Sequence, residues 1–182
     1  MALPVIGHPL MGLPRGILLA TMAMIGLILA SNITVQYPIN DWLTFGALLF
    51  PVCFLVTDLT NRSFGASATR KMVLISFPVA IVLSMILATP RIGLASGIAF
   101  LVSQMLDVSV YDKLRRGSWW QAPLISSILA SAVDTALFFS LAFYATPVPW
   151  ITLGIGDFGV KVALALAMLI PFRLLMPRLK SA

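Results

Sequence analysis

Few side chains in this sequence could do chemistry, and several stand where they are costly. Asp134, Asp157 and Lys161 interrupt long apolar runs, as do Gln104 and Asp107, while Asp58, Asn61 and Arg62 cluster towards the end of another run. Asp157 and Lys161 are four residues apart, so in a helix they share a face. A carboxylate accepts from two adjacent N–H donors, and a lysine, glutamine or asparagine can donate to a carbonyl oxygen beside them. Phe138, Phe139 and Phe143 lie within a turn or so of Asp134 and offer faces on which a ring can stack. This set suits a small, flat, polar solute; it permits a nucleobase-like ring without selecting one. Other chemistries lack their parts. One histidine, His8, and one cysteine, Cys53, cannot build a thiolate zinc site, a disulfide framework or a histidine-based triad. With no nucleophile elbow, no paired catalytic carboxylates and no nucleotide phosphate loop, the reading is of a protein that is not an enzyme and carries no cofactor or metal.

The elements that position these residues follow from composition. The chain has 182 residues, 60% of them hydrophobic and 10% charged, with a mean hydropathy of +1.02, against about 25% charged in an ordinary soluble domain. That excludes a water-soluble globule and predicts an all-α integral membrane bundle. Six apolar runs, near 16–35, 42–62, 70–89, 92–114, 119–145 and 150–176, each approach the roughly 20 residues that a spanning helix needs. Pro51 and Pro78 fall inside the second and third and predict kinks. One transmembrane domain, 16–176, is expected between short tails at 1–15 and 177–182.

The net charge of +6 reads as a topology signal, not as a nucleic-acid surface, because the basic residues sit between the apolar runs. Arg15, then Arg62, Arg70 and Lys71, then Lys113, Arg115 and Arg116, then Arg173, Arg178 and Lys180 fall on one side, and only Arg91 on the other. Both termini are therefore expected in the cytoplasm, with Trp119 and Trp120 at the inner interface and Trp42 and Trp150 at the outer one. Counting about 1.5 Å per residue places Asp134 about 22 Å along the fifth helix and Lys161 about 16 Å along the sixth. Both are then in mid-membrane, where an ionised group costs roughly 2.5–3.5 kcal/mol on insertion scales and calls for a partner or a wet cavity. Two antiparallel neighbours joined by a short turn can pair Asp134 with Lys161, and Asp157 competes for the same lysine. Asp58 and Arg62 suit either a ligand role or a capping and topology role. Gly93-x-x-x-Gly97 reads as ordinary bundle packing.

Taken in order, Ser31-Asn32 with Gln36 and Pro38, Gly46 to Pro51, Thr57-Asp58-Leu59-Thr60-x-Arg62-x-Phe64-Gly65 and Arg70 lead to Gln104-x-Leu106-Asp107-Val108 and Leu114-Arg115. Trp119-Trp120-x-Ala122-Pro123, Asp134-Thr135 with Phe138-Phe139, and Lys161 follow. Over nearly all of the chain this pattern resembles the queuosine precursor transporter family, also called the vitamin uptake transporter family. The resemblance implies a multi-pass importer of the bacterial inner membrane for 7-cyano- and 7-aminomethyl-7-deazaguanine, both flat guanine-like rings. It implies a substrate site in which Asp134 reads the N–H pair, Lys161 or Gln104 the carbonyl, and Phe138 and Phe139 stack. Asn32, Asp58 and Asp107 are further substrate-binding candidates. The expected partners are the deazaguanine and the lipid bilayer, without nucleic acid and with a homo-oligomer left open. A secondary carrier is the leading mechanism; the alternative is a substrate-capture subunit that needs a separate ATPase, as in energy-coupling-factor transporters.

Overall fold

The computed structural model describes residues 15–87 and 89–178. The tail carrying His8 and the last residues, 179–182, lie outside the described residues. Helices α1 (Arg15–Thr34), α2 (Gly46–Leu87), α3 (Pro90–Leu114), α4 (Gln121–Phe143) and α5 (Trp150–Leu175) make up most of the chain, and a 3-10 turn, Met176–Arg178, closes it. All five helices are long and apolar enough to cross a membrane. Their outer faces present Leu19, Met22, Ile86, Ile155, Ile170 and Leu174, a surface suited to acyl chains. The chain is an all-α, multi-pass membrane bundle.

Five such helices stand where six runs are expected, because the second and third runs merge into α2. At about 1.5 Å per residue its 42 residues would reach about 63 Å, roughly twice the hydrocarbon thickness of a bilayer. The element is broken at Gly65, whose φ of 79° and ψ of 167° lie in a region essentially restricted to glycine. Neighbouring contacts give the direction of each part. Thr57 meets Gln104 and Asn61 meets the Val108 carbonyl, so 46–64 runs parallel to α3. Gly93 lies against Met85 and Gly97 against Ile81, so 66–87 runs antiparallel to α3. The chain therefore reverses at Gly65. Lys and Arg around this bend do not open a long loop, since the Ser63 and Thr69 hydroxyls donate back to the Leu59 and Gly65 carbonyls. The Gly93 and Gly97 pair packs α3 closely on the second part of α2: a Cβ on Gly97 would overlap the Ile81 side chain.

A second departure lies before α2, which starts at Gly46 and not near Trp42. Residues Pro38–Asn40 (β1) and Leu43–Thr44 (β2) form a small antiparallel hairpin. The Asn40 side chain accepts from the Trp42 N–H at 2.9 Å and fixes the turn. The hairpin lies on the start of α5: Thr152 Oγ1 donates to the Asp41 carbonyl at 3.2 Å, and a Cβ on Gly156 would overlap the Trp42 carbonyl oxygen. At this end Arg91 donates to the Leu141 and Tyr144 carbonyls and caps α4. Thr89 caps α3 by accepting from the Ile92 N–H, with Pro90 in the first turn. Trp119 and Arg173 pack together at the opposite end, 4.8 Å from guanidinium carbon to ring centroid. Between the ends, Met24, Phe50, Phe54, Met72 and Phe100 fill one core and Val35, Ala99, Phe138, Phe139 and Leu153 another.

Candidate binding site

Midway along α4 and α5, one lysine gathers two carboxylates. Lys161 Nζ lies 2.7 Å from Asp134 Oδ2 and 2.6 Å from Asp157 Oδ2, and it donates to Thr135 Oγ1 at 3.2 Å. That uses all three ammonium hydrogens. The Phe50 ring lies 4.9 Å away, a cation–π contact from α2. Thr135 in turn donates to Asp157 Oδ2 at 2.7 Å. Asp157 sits one turn before Lys161 on α5, whereas Asp134 reaches across from α4, so the two do not exclude one another as the sequence reading supposes. The lysine holds both. With both acids ionised the buried cluster carries one negative charge in excess.

Asp134 keeps spare acceptor capacity. Ser103 Oγ lies 3.3 Å from Asp134 Oδ1, yet the same hydroxyl is 3.1 Å from the Phe100 carbonyl and has only one hydrogen to give. Two crevices flank the cluster, and Lys161 lines both. The first is also lined by Asn32, Phe50, Ser96, Asp134 and Phe138; the second by Asp58, Ser127, Ser131 and Phe172. They leave about 20 Å³ and 10 Å³ for a water-sized molecule, close to the room that one water needs. A planar ring beside the pair needs more space than this conformation opens.

The expected site residues thus divide. Asp134, Lys161, Asn32 and Phe138 converge on the first crevice, where Asn32 Nδ2 donates to Ser84 Oγ at 2.6 Å. Phe138 stands edge-on to Phe139 and Phe143, with centroids 5.2 Å and 5.9 Å away. Phe139 is buried against Phe138 and Phe143 and does not line the first crevice; it lies instead at the floor of a groove between α4 and α5 beside Trp150 and Ile155. Asp58 lines the second crevice, and Gln104 and Asp107 line neither. Gln104 accepts from Thr57 Oγ1 at 2.6 Å. The Asp58–Arg62 ion pair that their spacing allows is not among those formed by the described residues. Sequence reasoning missed Phe50, Ser96, Ser103 and Thr135. A signal for three of them exists: Ser96, Ser103 and Asp107 share one helical stripe on α3, and Ser127, Ser131, Asp134 or Thr135, and Phe138 share another on α4.

A multi-pass bundle with a buried, hydrogen-bonded charge cluster between two internal crevices has the build of a membrane transporter for a small polar solute. Residues 44–89 and 84–176 match the family described as "Putative vitamin uptake transporter". The chain is 33% identical over 198 aligned residues to the "Probable queuosine precursor transporter" of Haemophilus influenzae, covering 86% of this chain and 84% of that protein. It is 31% identical over 173 residues to the "Queuosine precursor transporter" of Escherichia coli (strain K12), covering 79% and 78%. The chain belongs to the queuosine precursor transporter family, a family of membrane transporters and not of enzymes. No solved structure matches it.

Proposed function

We propose that this protein is a bacterial inner-membrane importer of queuosine precursors, 7-cyano- and 7-aminomethyl-7-deazaguanine, and that it works as a secondary carrier. The observation that carries the reading is the cluster of Asp134, Asp157 and Lys161 between two crevices. Its excess of acceptors over donors is matched by the adjacent ring and exocyclic N–H groups of a guanine-type edge, which would meet Asp134. Lys161, released from Asp134, turns one hydrogen to the ring carbonyl while Asp157 retains it. Phe138 and Asn32 form the wall against the ring. Because the present crevices hold little more than a water, the helices must part to admit substrate. Since Lys161 lines both crevices, parting on either side exposes the same ammonium, which is the geometry that alternating access requires.

In this reading α2 crosses the membrane twice, with Gly65 at the inner surface, so the chain spans six times and keeps both termini in the cytoplasm. Restored queuosine in the tRNA of cells blocked in precursor synthesis, supplied with 7-cyano-7-deazaguanine and carrying this gene, tests the import. Asp134→Ala and Lys161→Ala are each expected to abolish it. Normal import by both variants would overturn the site, and transport by the purified chain in liposomes only when an ATPase partner is added would overturn the carrier.

A further inference from the structure

A second buried polar cluster has no part in the substrate contacts above. Asp58 and Asn61 come from α2, Gln104 and Asp107 from α3, and Ser126 and Ser127 from α4, all of them buried. Asp58 and Asp107 face one another, with Ser126 beside both. No donor meets either oxygen of Asp107, Asp58 Oδ1 or Asn61 Oδ1 in good hydrogen-bond geometry, and Gln104 Nε2 has no acceptor; Ser126 stands near both carboxylates and Ser127 beside Asp58. The Ser126 hydroxyl is within 3.5 Å of the Pro123 carbonyl.

The cations around the pair are accounted for element by element. On α2, Arg62 is one turn from Asp58; Tyr111 of α3 lies near both of them, and Arg115, just past the end of α3, lies near Tyr111. On α5, Lys161 lines the same crevice as Asp58, but its three hydrogens go to Asp134, Asp157 and Thr135. On α4 the neighbours are serines. Among the described residues no ion pair reaches Asp58 or Asp107. Two ionised carboxylates offer four acceptors and no donor, the serines beside them have one hydrogen each, and Arg62, one turn from Asp58, forms no ion pair with either. One proton changes the count, because a carboxylic acid donates where a carboxylate only accepts. Asp134 and Asp157 differ in kind: Lys161 lies between them and donates to both.

We propose that the Asp58–Asp107 pair is the proton-carrying site of the transport cycle, separate from the cluster that binds substrate. A proton from water on one side binds a carboxylate oxygen and joins the pair as O–H···O; its departure to water on the other side leaves two facing anions. Their repulsion loosens α2 from α3 and α4 beside the second crevice, which Asp58 and Lys161 share. This assignment rests on the carrier reading above.

The test uses the purified full-length chain in liposomes with 7-cyano-7-deazaguanine. Wild type should accumulate the compound under a pH gradient. Asp107→Asn, which lines neither crevice, should still exchange it at equal concentrations on the two sides, showing that it is folded, but should lose gradient-driven accumulation. Accumulation by Asp107→Asn at the wild-type level, or wild-type accumulation that follows sodium with pH clamped, would overturn the proposal. Failure of wild type even to exchange the compound would count against the carrier reading instead, and substrate-free infrared spectra then decide the pair by themselves. Wild type should show a carboxylic acid C=O band at neutral pH that an Asp58→Asn, Asp107→Asn double variant lacks. A wild-type spectrum without the band, or a double variant that keeps it, contradicts the proposal.

Discussion

Lys161 is the residue on which the polar interior turns, since it neutralises one of two buried carboxylates and orders both. Removing one partner from a buried ion pair typically costs about 3–5 kcal/mol, because the remaining charge is stranded. Lys161→Met should therefore lower the melting temperature of the detergent-purified protein markedly, whereas a triple variant that also carries Asp134→Asn and Asp157→Asn should recover much of the loss. A Lys161→Met protein as stable as wild type would mean that the carboxylates find other partners. The Asp134–Lys161 contact was legible in the sequence because depth can be counted along two adjoining helices from their aromatic ends. The double engagement was not. Spacing shows Asp157 and Asp134 each within reach of the lysine, but only packing reveals that both reach it together. Phe138 and Phe139 show the same limit at one residue's resolution: both are buried, but adjacent helical positions point about 100° apart, and composition alone does not say which lines the crevice.

At the scale of elements, the departures from expectation fall where short-range chemistry overrides hydropathy. The β1–β2 hairpin is too short for an alternating pattern, and its turn rests on the Asn40 side chain, so nothing in the apolar profile of 42–62 separates it from α2. The polar stretch around Gly65 looks like a linker, yet it is a bend between two helical parts whose hydroxyls return to the backbone. The hairpin's seat on α5 depends on the bare backbone of Gly156. Gly156→Ala would drive a methyl into the Trp42 carbonyl, and the hairpin is expected to lift. A thiol placed at Asp41 should then react faster with a membrane-impermeant reagent in the Gly156→Ala background than in the wild-type one. Equal rates would show that the hairpin is not held there.

For the molecule as a whole, the basic residues and tryptophans predict an orientation, and the break and reversal at Gly65 divide the 42-residue α2 into two parts that are compatible with it. Cys53 is fully buried, so introduced thiols can be read against a quiet background. In intact cells Thr146→Cys should label from outside, and Arg116→Cys only after permeabilisation; the reverse pattern would invert the bundle. The account's central claim concerns recognition by Asp134, and direct binding tests it without any assumption about energy coupling. In Asp134→Asn the lysine keeps Asp157, so the variant retains a balanced pair and should fold. Purified wild-type protein should be stabilised against heating by 7-cyano-7-deazaguanine, by about 2.7 kcal/mol at a ligand concentration a hundredfold above Kd, and Asp134→Asn should lose that stabilisation. A variant stabilised as strongly as wild type, or a wild type that the compound leaves unchanged, would contradict the account.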